Sequence, residues 1–361
     1  MYWSNALIGQ KAAVQMPDVT IKMAKDIAQN WCAVQASQIP GVVGALMTGS
    51  VAWQPNSATH QTGSDIDIIL VVDRPDVPNA LGKFVFQGLT LEVSFAKLSV
   101  LSEIDTVLAD YHMAGLFRQT TALWDPVGQL HQLMIQAAPH YADTKYIKRR
   151  MQHARQNALN FLTRYEDATT LHDQVTSLFF AAGVTAHIIL TAALQNPTIR
   201  RRYILSGQVL NRTGHSELHE HMLATLGSRD LDAPAIQTLL DLLAAQFDKT
   251  AKLLASPHPF ASDMKPAARP IAIDGTQAMI DQGHHKEAAF WIIAVFARCR
   301  AVMVADGTAS DLEDFDTDMW LALNAFGLSN PDDMQQRART IRTDIDHIFD
   351  IAQSQLIPHD H

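Results

Sequence analysis

Cysteine is nearly missing from this chain. Cys32 and Cys299 are the only two in 361 residues. That excludes a disulfide scaffold and a cysteine-rich zinc site, and the expectation is two buried thiols in a reducing cytoplasm. Positive charge is also scarce: 28 Lys and Arg stand against 37 Asp and Glu, for a net charge of −9. There is no basic stripe with interleaved aromatics. This argues against nucleic-acid polymerisation and broad non-specific nucleic-acid binding, and no nucleic-acid partner is expected, although the balance leaves room for a local basic pocket. Residues 1–18, MYWSNALIGQKAAVQMPD, lack a basic segment followed by an apolar core, so they do not read as a secretory signal. Long apolar runs are rare. SLFFAAGVTAHIILTAAL, Ser177 to Leu194, is uncharged and nearly long enough to span a bilayer. However, Ser177, Thr185, His187 and Thr191 interrupt it, and much of the rest is Ala and Gly. No aromatic belt or basic flank frames it closely. It reads as a helix buried at the centre of a helical domain, and no membrane partner is expected.

What is present changes character part-way along. Asp18 to Ser37 reads as an amphipathic helix, with Asp18 or Thr20 as cap and Ile21, Ala24, Ile27, Ala28 and Trp31 at helical spacing. Pro40-Gly41 breaks it, and VVGALM suits a buried strand. DIDIILVVD is a second strand. FVFQ and LTLEVSF read as a hairpin around Gly88, with Glu92 on the polar face of a half-buried strand. VLSEIDTVLADYHMAGLF reads as a helix, and the turn WDPVG leads into another from Gln129. Beyond about Lys145 no strand shows period-two alternation. Helices are expected at 145–165, 172–194, 203–227, 233–255, 275–304, 312–325 and 331–355. The predicted fold class is α+β: a small mixed sheet domain over 1–140, then an all-helical domain over 141–361. The Pro-rich stretch 256–270 is a candidate subdivision of the second domain.

The chemistry concentrates in residues 49–67, GSVAWQPNSATHQTGSDID. Alternate side chains of a strand share a face, so Asp65 and Asp67 point one way and Ile66 and Ile68 the other. Two carboxylates held side by side repel, and such a pair usually exists because a cation lies beside them. If the strand of Glu92 pairs with this one, a third acid joins them. Oxygen donors without Cys or clustered His favour Mg²⁺ or Mn²⁺ over Zn²⁺. Gly49-Ser50 follows the first strand. A glycine turn lets backbone N–H groups approach a phosphate, and the serine adds a hydroxyl donor. A phosphate cradle facing a carboxylate metal site suits phosphoryl or nucleotidyl transfer.

Gly49-Ser50, a spacer, Asp65-Ile66-Asp67 and the later strand acid Glu92 resemble the signature of the DNA polymerase beta-like nucleotidyltransferase superfamily. The likeness is to its small bacterial members, such as aminoglycoside and lincosamide nucleotidyltransferases, which attach a helical domain after the catalytic one. The WDPVG turn before a long helix also fits. The resemblance covers about residues 40–130, and the helical part is similar only in kind. It implies that Asp65, Asp67 and Glu92 ligate two metal ions, and that Glu92 completes the second ion's site or acts as general base. Gly49 and Ser50 would hold the terminal phosphates of a nucleoside triphosphate, ATP first among them. The implied reaction moves a nucleoside monophosphate to a hydroxyl on a small-molecule acceptor and releases pyrophosphate, with the helical domain choosing the acceptor. Two rivals remain: transfer of AMP to a protein side chain, and an inactive nucleotide-binding module, which carboxylates more than about 6 Å apart would favour. The sequence leaves base preference, acceptor and homodimer formation open.

Weaker signals have plainer readings beside the functional one. Lys145, Lys148, Arg149 and Arg150, and then Arg200, Arg201 and Arg202, would offset triphosphate charge or simply form solvated faces. His60 lies in the phosphate-side loop and reads first as exposed. His187 reads as a satisfied core histidine. His215 and His219, four apart, have the spacing of a zinc pair but show no third ligand.

Overall fold

The computed structural model of the chain describes residues 19–357 except 62, 120 and 259. It divides into two compact units, 1–146 and 147–361. The fold is α+β, and among the described residues all strands lie in the first unit. Residues 1–18, including the candidate cap Asp18, lie outside the described residues.

In the first unit, α1 (Ile21–Val34) is capped by Thr20, whose hydroxyl accepts from the Met23 N–H at 3.2 Å. Its apolar stripe, Ile21, Ala24, Ala28, Trp31 and Cys32, is buried against the sheet. Trp31 meets the Phe84 ring at 5.4 Å. The sheet comprises β1 (Val42–Met47), β2 (Ile66–Val72), β3 (Gly82–Phe86), β4 (Leu89–Lys97) and β5 (Ala122–Trp124), in the spatial order β3-β4-β2-β1-β5. β2 and β4 are parallel, and the other neighbours are antiparallel. β2 and β4 both alternate as half-buried strands should: Ile66, Ile68, Leu70, Leu91 and Val93 face the core. The hairpin joining β3 to β4 turns on Gln87 and Gly88, both with positive φ (48° and 84°). That is the geometry of a two-residue turn matched to the sheet twist.

Several expected helices differ. The run 100–117 is not one helix but α3 (Leu98–Ser102), α4 (Ile104–Ala109) and a 3₁₀ turn, Ala114–Phe117. Asp110 takes the N–H groups of His112 and Met113 on its carboxylate at 2.7 and 3.0 Å, a side-chain substitute for helix bonding. The helix after WDPVG is α5 (Gln129–Ala137).

The second unit is helical: α6 (Thr144–Asp167, whose first turn carries the unit boundary), α7 (Leu171–Ala192), α8 (Arg202–Arg212), α9 (Ser216–Leu226), α10 (Ala233–Leu253), α11 (Gly275–Asp281), α12 (His285–Asp306), α13 (Ala309–Ala325) and α14 (Pro331–Ile351). The expected single helices 203–227 and 275–304 are each two. Gly214 (φ 81°) and Gly283 (φ 83°) adopt the left-handed conformation that ends a helix. The stretch 256–270 holds short 3₁₀ turns, and α10 before it packs against α11 and α12 after it.

α7 and α12 are long and apolar enough to cross a membrane, with peak mean hydropathy of 1.7 and 1.8. Of those windows, 89% and 72% is buried inside the protein, the pattern of core helices in a soluble protein. Gly183 lets α7 approach closely: a Cβ there would lie 2.7 Å from both Arg202 Nη1 and Phe290 Cε2. Arg202 is 1% exposed. Its Nε donates to the Ile199 carbonyl at 2.7 Å, and its guanidinium lies 4.3 Å over the Phe290 ring. It belongs to the core rather than to a solvated face.

Candidate metal and phosphate site

The site is built from three neighbouring strands. Parallel pairing places Asp67 of β2 opposite Glu92 of β4, and the β3–β4 hairpin places Lys83 opposite Glu92. Cross-strand partners share a face, so Lys83, Glu92 and Asp67 form a row across the sheet. Asp65, two residues before Asp67, joins it at the head of β2. One carboxylate oxygen from each of Asp65, Asp67 and Glu92 lies within 4.8 Å of the other two. Among the described residues this is the single cluster of three or more His, Cys, Asp or Glu side chains with such spacing.

Gly49 closes one side. It opens the short helix α2 (Gly49–Trp53) directly after β1, with φ 65°. A Cβ at this position would lie 1.7 Å from Asp67 Oδ2 and 2.6 Å from Asp67 Cγ. Only glycine leaves room for that carboxylate and adopts that backbone. The Thr48 N–H donates to the Asp67 carbonyl oxygen at 2.9 Å, which fixes the turn to β2. Ser50 is half-buried beside it, its hydroxyl 3.4 Å from that of Ser64. The long loop is pinned as well: the Ile21 N–H donates to the Ala58 carbonyl at 2.8 Å, and the His60 N–H to Val19 at 2.7 Å. The sequence elements Gly49-Ser50, Asp65-x-Asp67 and Glu92 are therefore all brought together.

Burial pushes the Asp67 carboxyl well above the usual carboxylate range. The neighbouring charges of Asp65 and Glu92 and a hydrogen bond with Glu92 push it the same way, while the Lys83 ammonium opposes them. This crowding is what a hard divalent cation relieves. Three carboxylates with no sulfur or imidazole in the set suit Mg²⁺ or Mn²⁺. His60 is half-buried rather than exposed, and burial lowers its pKa against the pull of Asp65.

Sequence reasoning missed Lys83. Its side chain is 7% exposed, and its Nζ lies 2.5 Å from Glu92 Oε2 and 3.3 Å from Asp65 Oδ2. The signal was present: a two-residue turn at Gln87-Gly88 sets Phe86 opposite Leu89 and hence Lys83 opposite Glu92.

The histidine candidates of the second unit have partners of their own. His187 is a core histidine, 1% exposed, whose Nε2 bonds with the Thr198 carbonyl at 3.0 Å. His215 and His219 belong to no cluster of three metal-ligating side chains among the described residues. His215 sits at the N-cap of α9, while His219 faces Glu287 at 3.3 Å.

No protein-family model and no curated protein matches the chain.

Proposed function

We propose that this chain is a cytoplasmic, metal-dependent nucleotidyltransferase of the DNA polymerase beta-like kind. It transfers a nucleoside monophosphate, AMP first among candidates, from a triphosphate to a hydroxyl of a small-molecule acceptor. One observation carries the reading: the glycine turn is docked on the Asp67 carboxylate, in a trio of acids held within 4.8 Å by strand register. A phosphate-binding backbone and a cation-binding face thus meet at one point.

Asp65 and Asp67 would hold Mg²⁺ or Mn²⁺, which when bound supplies charge stabilisation at the phosphates, while Glu92 would complete the site or serve as base. The Gly49 N–H and the Ser50 hydroxyl would donate to the triphosphate oxygens. Glu92, the most exposed of the paired groups in the row at 35% of its side chain, would take the proton of the attacking hydroxyl. Attack in line at the α-phosphorus then expels pyrophosphate. The spacing of the acids speaks against an inactive module, for which they would stand more than about 6 Å apart.

The test is thermal stability with each nucleoside triphosphate, with and without Mg²⁺, in wild type and in Asp65→Ala/Asp67→Ala. A ligand at 100 times its Kd adds about 2.7 kcal/mol to the folded state. Stabilisation by a triphosphate only with metal, and only with both aspartates, is expected. No shift in wild type with any triphosphate would sink the proposal. Pyrophosphate release on adding candidate acceptors then identifies the acceptor, and labelling of a co-purified protein would favour transfer to a side chain.

A further inference from the structure

We propose that Lys83 stands in for a second metal ion. The acidic trio then binds a single divalent cation, at Asp65 and Asp67, while the Lys83 ammonium serves Glu92. This deepens the metal-site reading above and rests on it.

Position supports the inference first. Lys83 is not a long surface side chain that happens to touch an acid. It is placed opposite Glu92 by a hairpin whose turn fixes the register, and its side chain is 7% exposed. Phe84, the next residue on β3, is packed into the core against Trp31, which anchors the strand beside the lysine.

Space supports it next. Nζ lies 2.5 Å from Glu92 Oε2 and 3.3 Å from Asp65 Oδ2. Mg²⁺ or Mn²⁺ takes carboxylate oxygens at roughly 2.0–2.2 Å. An ion bridging Glu92 and Asp65 would occupy the volume of the ammonium, so the two cannot share those oxygens. Asp67 stands at the other end of the row from Lys83, against Gly49, so an ion held by Asp65 and Asp67 sits away from the ammonium's contact with Glu92.

Charge supports it last. One ammonium and one divalent ion together neutralise three carboxylates. An uncompensated surplus of either sign in a half-buried site is costly. Lys83 is thus a positioning residue: it holds Glu92 in place and compensates it, without itself touching the reacting atoms.

The experiment uses the full chain and Mn²⁺ alone. Bound Mn²⁺ is counted by equilibrium dialysis and by electron paramagnetic resonance, in wild type, Lys83→Met and Lys83→Arg. Circular dichroism and melting in EDTA verify folding. Wild type and Lys83→Arg are expected to bind one ion. Lys83→Met is expected to bind two, the first roughly tenfold tighter, with the exchange-coupled signal of ions ~4 Å apart. Two ions in wild type, or one in folded Lys83→Met, would overturn the inference and leave the metal site standing. Mn²⁺ bound by Lys83→Met but not by wild type would also overturn it, because the lysine would then exclude metal. No Mn²⁺ in any variant would remove the metal-site reading itself. If Lys83→Met does not fold, wild type and Lys83→Arg still decide: one ion each supports the inference and two overturns it.

Discussion

Gly49→Ala is the sharpest probe of how the turn and the acids depend on each other. The substitution has two costs. The backbone at Gly49 has φ 65°, and an L-residue there loses roughly 1–2 kcal/mol relative to glycine. The new Cβ also meets Asp67 Oδ2 at 1.7 Å and Asp67 Cβ at 3.0 Å. The carboxylate can swing away about χ1, but the Asp67 Cβ is fixed by β2, so the turn must shift too. Reduced chain entropy in the unfolded state returns about 0.4–1 kcal/mol. Strain and entropy together leave a loss of about 0–1.6 kcal/mol, and displacing the turn adds about 1–3 kcal/mol, so the variant loses roughly 2–3 kcal/mol, at roughly 2–4 °C per kcal/mol. The displaced carboxylate leaves the trio, so Mn²⁺ affinity falls with stability. Thermal melting in EDTA reads the first effect, and dialysis against Mn²⁺ reads the second. A variant that melts with wild type and binds Mn²⁺ equally well would refute the claim that Gly49 exists to admit Asp67.

Asp67 also sets a pH dependence. Its folded-state pKa is raised from 3.8, so its contribution is greatest below that value and is lost as pH rises through the raised one. The metal-free protein should therefore lose melting temperature as pH rises above 3.8 and through the raised value. Asp67→Asn should flatten that slope and raise the melting point at the high-pH end of it while abolishing Mn²⁺ binding; an unchanged slope sinks the idea. Gly183→Ala sits in a helix interior, where the exchange ordinarily gains about 1 kcal/mol. Contact with Arg202 and Phe290 at 2.7 Å should instead cost about 1–3 kcal/mol, and a variant that is more stable in urea would contradict that packing. Burial pushes the Cys32 and Cys299 thiols up to about 12. Neither should react with a disulfide reagent in the native protein, and both should react in guanidinium; titration of either thiol before unfolding would be the contrary result.

Much of this protein was legible in its sequence because the relevant physics is local. Period-two alternation in β2 and β4 named the buried Ile and Leu faces, and thereby put Asp65, Asp67 and Glu92 on the opposite face. The Thr20 cap, the Gly88 turn and the change to helical periodicity after about Lys145 could be read from neighbours a few residues apart. Apolar spacing continues across the breaks at Gly214 and Gly283, whereas the left-handed backbone conformation there depends on the chain on both sides. Arg202 looked like part of a basic surface run, since nothing in RRRY says that its guanidinium lies over Phe290, far along the chain. Strand order alone decided the chemistry of the site. Whether Glu92 stood beside Asp67 depended on β4 inserting parallel to β2 rather than at an edge, a choice made by how both faces bury. The same insertion carried Lys83 into the trio. Charges far apart in sequence meet only through tertiary pairing, so the acids could be found by their pattern while their counter-ion could be found only in the fold.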